Sequence, residues 1–299
     1  MSGRKVVVEL RCNEFAMRDA NPNVPWTPEE IARDAAEARE AGAAVLHFHA
    51  RAPGTGAPSS DAAIFGDAIR RVRAATDLVV NPTLGAYTVD DPAERVAHIP
   101  VLGRDPATAP DLAPVDLATI NIDPWIPGKG FLLEDVVYRN PIAGIRTEID
   151  AIHGAGARVD AVLWNVGSAR LLGALLDEGL LDEPAFCEIA LSDGLLATHP
   201  ATARGMHALL EFMPEGRRAP WAYLVGGASA LPLLPAAIEA GGHVALGLGD
   251  HAYRELDGAC GGAPPRNADV VTAAVRAIRA AGCEPATPDE ARELLGLAR

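Results

Sequence analysis

Along most of the chain, short apolar runs alternate with alanine-rich stretches of helical period. Residues 6–10 read as a first strand. Thr27-Pro28-Glu29-Glu30 then starts a helix. Thr caps it, proline sits at the first helical position where no N–H is needed, and Glu30 can return to the cap's own N–H. That helix runs to about Ala41, and Gly42 suits the left-handed residue that ends a helix. A strand over 45–49 follows, then a helix over 61–75 with Ile64, Ala68, Ile69 and Val72 on one stripe. The same alternation predicts strands at 78–81, 117–121, 161–164, 187–191, 221–225 and 243–248. Helices are predicted at 141–155, 169–178, 203–213, 231–240 and 268–281, and Thr287-Pro288-Asp289-Glu290 starts a terminal one. Residues 86–115, rich in Pro and Asp, read as an excursion between the third and fourth units.

Short, wholly apolar strands are those covered on both faces. About eight of them, most followed by a helix, predict an α/β fold, a (β/α)8 TIM barrel with an extra C-terminal helix. The expected domain organisation is one barrel over residues 1–299. A doubly wound dinucleotide-binding sheet is disfavoured, because no Gly-rich phosphate fingerprint follows the first strand.

Charge and composition narrow the function. Lys and Arg number 26 against 40 Asp and Glu, a net charge of −14. Binders of nucleic acid and of anionic membranes need basic surface, so neither is expected as a partner. No apolar run approaches a membrane span and charged residues appear by Arg4 and Lys5, which makes the cytoplasm the expected location. The four cysteines are scattered without a Cys-x-x-Cys pair, which supports neither a zinc ribbon nor a disulfide scaffold. Lys5 and Lys129 are the only lysines, leaving few candidates for Schiff-base chemistry.

In such a barrel the chemistry sits where strands end. The second strand ends His47-Phe48-His49, and residues two apart on a strand point the same way. Both imidazoles can converge on one metal ion, the alternative being two satisfied core histidines. Arg51 can anchor a substrate carboxylate in a bidentate pair, or form a surface ion pair. The eighth strand runs into Gly247-Leu248-Gly249-Asp250-His251, and Gly226-Gly227 ends the seventh. These glycines can cradle a phosphorylated ligand or simply make tight turns. Asp250 can serve as a base, a metal ligand or a helix cap. Glu14, Asn81, Thr83, Gly85, Thr119, Asn121 and Asp123 lie at or just beyond other strand ends and can line the same mouth. Ser192 and Asp193 are weaker candidates.

These residues resemble the β-keto acid cleavage enzymes over nearly the whole chain. The resemblance is strongest from Pro22-Asn23-Val24-Pro25-Trp26-Thr27-Pro28-Glu29-Glu30 to His47-Phe48-His49-Ala50-Arg51. Ala118-Thr119-Ile120-Asn121, Gly241-Gly242-His243-Val244 to Asp250, and Ala286-Thr287-Pro288-Asp289-Glu290-Ala291-Arg292 support it. The resemblance implies a barrel holding one zinc ion per chain, assembled as a homotetramer. It also implies that a β-keto acid reacts with acetyl-CoA to give acetoacetate and a new acyl-CoA. His47 and His49 match the family's histidine ligands, and Asp250 matches the aspartate that takes the substrate proton. Glu14 and Thr119 fall on polar active-site positions, and Thr83 replaces a serine. In the family pattern a glutamate, the third zinc ligand, stands where this chain has Gly249, and an arginine that pairs with the aspartate stands at Ala245. Asp250, His251 or Glu14 then has to complete the metal shell, and Asp250 is expected to lack its cationic partner. The family's Glu-rich fifth strand is replaced by Asp160-Ala161-Val162-Leu163-Trp164-Asn165. Two other classes fit the residues: a metal-dependent hydrolase or aldolase acting on a small carboxylate, and a non-catalytic barrel that has lost the reaction.

Overall fold

The computed structural model describes residues 3–297. Its central sheet has eight parallel strands: β1 (Val8–Arg11), β2 (Val45–Phe48), β3 (Val79–Pro82), β4 (Leu112–Asp116), β5 (Arg158–Leu163), β6 (Cys187–Leu191), β7 (Trp221–Val225) and β8 (His243–Leu246). They pair in the order β3-β2-β1-β8-β7-β6-β5-β4. The sheet therefore curls until its two outer strands meet. At that seam the Asp111 N–H donates to the Val80 carbonyl at 2.9 Å, and the Val80 N–H donates to the Asp111 carboxylate at 2.8 Å. The barrel and the terminal helix expected from the sequence are both present.

The helices are α1 (Pro28–Ala41), α2 (Ala62–Ala75), α3 (Pro92–Val96), α4 (His98–Leu102), α5 (Ile142–Gly154), α6 (Val166–Asp177), α7 (Ala203–Leu210), α8 (Leu234–Glu239), α9 (Asn267–Ala280) and α10 (Pro288–Leu295). The first ends as the sequence predicts. Thr27 and Glu30 form a reciprocal capping box, and Gly42 closes the helix in the left-handed region at φ 117°. Among the described residues no helix is long and apolar enough to cross a membrane.

Two elements differ from expectation in ways that move the site. The segment over 6–10 splits, so that Lys5–Val6 pairs with Glu284–Pro285 while the barrel strand runs on to Arg11. The strand expected at 117–121 is Leu112–Asp116 instead. Pro114 disguises that run as a loop, yet β4 borders the sparse seam, where a residue without an N–H is tolerated. The expected excursion over 86–115 holds α3 and α4. The long loop lies further on, where Ile120–Asn121 pairs with Val137–Tyr138 and Trp125–Ile126 with Gly130–Phe131.

Most of the core lies between strands and helices and includes Leu10, Leu46, Ile69, Ile149, Leu172 and Val271. A second cluster fills the lower barrel with Val7, Val45, Val79, Leu112 and Ala245. Ala291 and Leu295 of α10 belong to it, so the terminal helix plugs the barrel's N-terminal end.

Candidate active site

The strand ends at the opposite face enclose a cavity of about 330 Å³. Arg11 at the end of β1, His47 on β2, Asp116 on β4 and Glu188 on β6 all line it, together with Glu14, His49, Thr83, Ser192, Gly226, Gly227, Gly249 and Asp250 from the loops.

His49 lies just past the end of β2 but keeps the alternation of that strand. The two imidazoles face the same way, with ring centroids 5.4 Å apart. Glu14 meets both, its Oε1 lying 3.2 Å from His47 Nε2 and its Oε2 2.9 Å from His49 Nε2. Ligand atoms of the three residues fall within 4.8 Å of one another, and all three side chains are buried. Burial lowers the His47 pKa to about 4, so its imidazole is neutral and able to ligate. Burial works against the Glu14 carboxylate, but Arg11 and the two histidines overcome it and hold its pKa well below the usual range. Glu14 Oε1 has no hydrogen-bond donor although it is buried. Two imidazoles and a carboxylate with a spare oxygen are a donor set that suits a zinc-like ion.

The loop that carries Glu14 is pinned. Glu14 sits in the left-handed region at φ 30°, which costs an ordinary residue energy and needs support from its surroundings. Asn13 accepts from the His49 N–H at 2.8 Å and donates to the His49 and Pro25 carbonyls. Arg51, fully buried, donates to the Asn13, Ala16 and Gly56 carbonyls. Both its Nη groups thus go to backbone, and it does not line the cavity. The structure therefore corrects the sequence reading of Arg51 as a carboxylate anchor: it positions the Glu14 loop.

Arg11 organises the remaining charge. Its Nε donates to Asp250 at 3.0 Å, Nη1 to Glu188 at 3.0 Å and Nη2 to Glu14 at 2.9 Å. The cation expected to be missing beside Asp250 is supplied by β1 instead of β8. Gly249 has a matching explanation. A Cβ on it would lie 2.4 Å from Glu14 Cγ and 2.7 Å from the Glu14 nitrogen. Glu14 fills the space that a side chain at position 249 would need. Burial raises the Asp250 pKa to about 7 against the opposing pull of Arg11.

Beneath this layer Glu9, Asp160 and Glu188 form a fully buried acidic cluster within the barrel. Asn81 donates to Glu9 at 3.0 Å and to Asp160 at 2.9 Å. Burial raises the Glu9 pKa to about 8 and those of Asp160 and Glu188 well above the usual range. A pKa of about 8 keeps the Glu9 carboxyl protonated near neutral pH.

Among the other residues singled out in the sequence, Thr83 lines the cavity and its hydroxyl accepts from the Gly85 N–H at 3.0 Å. Gly85 makes that turn at φ 97° behind the cavity wall. Gly226 and Gly227 border the cavity, but their N–H groups are taken by the Leu191 and Asp250 carbonyls. They give room and do not cradle a phosphate. Thr119 and Asn121 are exposed outside the cavity, Thr119 accepting from the Asn140 N–H and Asn121 donating weakly to Asp123. Moving the fourth strand back to Asp116 leaves both beyond the mouth. Sequence reasoning missed Arg11, Asp116 and Glu188. The alternation of Val8-Glu9-Leu10-Arg11, polar at every second position, is the signal that places Glu9 and Arg11 on the inner face.

A family model described as beta-keto acid cleavage enzyme matches residues 5–297. The chain is 28% identical to a 3-dehydrocarnitine:acetyl-CoA trimethylamine transferase of Rhizobium meliloti (strain 1021), over 93% of this chain and 91% of that protein. It is 26% identical to a 3-keto-5-aminohexanoate cleavage enzyme of Fusobacterium nucleatum, over 99% of each. The apo structure of ObcA shares the fold at a TM-score of 0.71 and 16% identity, with 93% of this chain covering 66% of that one.

Proposed function

The chain belongs to the beta-keto acid cleavage enzyme family, and from that premise we propose that it condenses a β-keto acid with acetyl-CoA, giving acetoacetate and a new acyl-CoA. We propose His47, His49 and Glu14 as the ligands of one zinc ion. The observation that carries this reading is their convergence, in one cavity, beside a carboxylate of raised pKa. The names of the relatives support an enzyme that transfers to or from acetyl-CoA and cleaves a C–C bond.

When bound, zinc would polarise the substrate's keto and carboxylate oxygens as a Lewis acid. Asp250, with a pKa of about 7, is suited to take the proton from the carbon flanked by the two carbonyls. Arg11 fixes one oxygen of Asp250 and leaves the other free to accept that proton. The resulting carbanion attacks the thioester carbon of acetyl-CoA and expels CoA thiolate. The thiolate then attacks the substrate's original keto carbon, forming the new acyl-CoA and breaking that carbon's bond to the α-carbon, which leaves as the acetoacetate carbanion. Thr83 and Ser192 are neutral groups on the wall near that event. Asp250 holds the proton through both steps and returns it to the acetoacetate carbanion released by that C–C cleavage. Arg11 keeps Glu14, Glu188 and Asp250 apart at fixed positions, so none has to rearrange during the reaction.

Protein purified without a tag should hold about one equivalent of zinc by elemental analysis, and His47→Ala should lose it. Acetyl-CoA with a panel of β-keto acids should yield acetoacetate. Asp250→Asn should lower turnover at least about a hundredfold while keeping zinc. Full metal occupancy in His47→Ala, or unchanged turnover in Asp250→Asn, would overturn the assignments.

A further inference from the structure

We infer that the β-keto acid this site takes carries an uncharged, apolar tail; this rests on the proposed β-keto acid reaction and specifies its substrate class. The cavity has two unlike halves. The inner half holds Arg11, Glu14, His47, His49, Glu188 and Asp250. The outer half is walled by Phe15, Ile122, Leu133, Val136, Trp164 and Leu195.

That outer wall is a built feature. Ala118, Ile120, Ile122 and Tyr138 form an apolar cluster separate from the barrel core, with Val136, Trp164 and Leu195 packed against it. The loop that carries it is tied to the one after β6 by the Trp125 N–H, which donates to the Gly194 carbonyl at 2.8 Å. Leu133 lines the cavity and is 53% exposed, so water wets an apolar surface that continues directly from the polar half. A ligand tail that covers it removes that surface from water.

Charge decides which tail. A cationic tail would need an anion facing the outer half. Asp116 is the acidic side chain there, and both its oxygens are committed: one accepts from Tyr138 Oη at 2.6 Å and the other from Trp164 Nε1 at 2.5 Å. The acids of the inner half already share a cation, since Arg11 pairs with Glu14, Glu188 and Asp250. An ammonium group lodged against this wall would lose its hydration, and the carboxyl it meets, Asp116, is shared with Tyr138 and Trp164 and pushed by burial toward its neutral form. An alkyl group meets no such penalty.

The test compares a straight-chain alkyl β-keto acid with an isosteric one ending in an ammonium group, at saturating acetyl-CoA. The alkyl acid should have a kcat/KM at least about tenfold higher. Leu133→Asp, at a half-exposed loop position, should narrow or reverse that preference and leave the KM for acetyl-CoA unchanged. Equal or better use of the ammonium acid by the parent protein would overturn the inference. So would a Leu133→Asp variant that raises the acetyl-CoA KM with the keto-acid preference unchanged, since the wall would then serve the CoA arm. If neither acid yields acetoacetate, the proposed reaction fails. Calorimetric binding of the matched unreactive alkyl and ammonium carboxylates then decides the tail's class on its own. Tighter binding of the alkyl acid upholds the inference, and equal or weaker binding ends it.

Discussion

A side chain at position 249 would collide with Glu14 Cγ, the Glu14 nitrogen and the Arg11 carbonyl, at 2.4, 2.7 and 2.9 Å. Two of those three are backbone atoms, which cannot swing away. Gly249→Ala should therefore displace the Glu14 loop and weaken the proposed zinc binding about tenfold or more in a chelator competition, with the histidines intact. Arg11 poses the opposite problem, because removing it strands three buried carboxylates. Arg11→Met should destabilise the protein by about 3–5 kcal/mol in urea unfolding, as broken buried pairs do. Asp34 gives a pH signature away from the site. Burial raises its pKa from 3.8 to about 7, although Asn267 donates to it at 2.5 Å. A carboxyl with a raised folded pKa favours the folded state while both states are protonated. That advantage is lost as pH rises from the unfolded value through the folded one. Asp34→Asn should thus match the parent protein near pH 4 and exceed it by a few kcal/mol (about 4 at most) above pH 7, by parallel melts across that window.

Elements were legible where local chemistry settles them. The α1 helix announces both ends, through Thr27 and Glu30 at one and Gly42 at the other. Thr27→Ala should cost about 1 kcal/mol in thermal or urea unfolding, since it frees the Glu30 N–H. The second strand and its paired histidines were equally readable, because period two needs no partner to define it. The fourth strand was not. Two adjacent apolar stretches competed, and the one interrupted by Pro114 is the barrel strand. Proline argues against a strand only where a full ladder runs on both sides, and the seam between β3 and β4 is known only once the barrel has closed. That shift of five residues, from 117 to 112, carried Thr119 and Asn121 out of the cavity and brought Asp116 into it.

At the scale of the whole molecule, eight βα units close into a barrel whose lower end α10 stoppers. Leu295 is fully buried in that plug, so Leu295→Ala should cost about 2–5 kcal/mol in chemical unfolding, the range for a buried leucine truncated to alanine. The sequence by itself determined the succession of strands and helices, the capped starts of α1 and α10, and the two imidazoles facing one way. Each depends on periodicity or on side chains within a few residues of the backbone groups they serve. Only the tertiary structure decided how the site is completed. Arg11 meets Glu188 across 177 residues and Asp250 across 239, and Glu14 occupies the space left open by Gly249. Contacts at such separation leave no local trace, because closure of the barrel, and no rule of spacing, brings the ends of β1, β6 and β8 together.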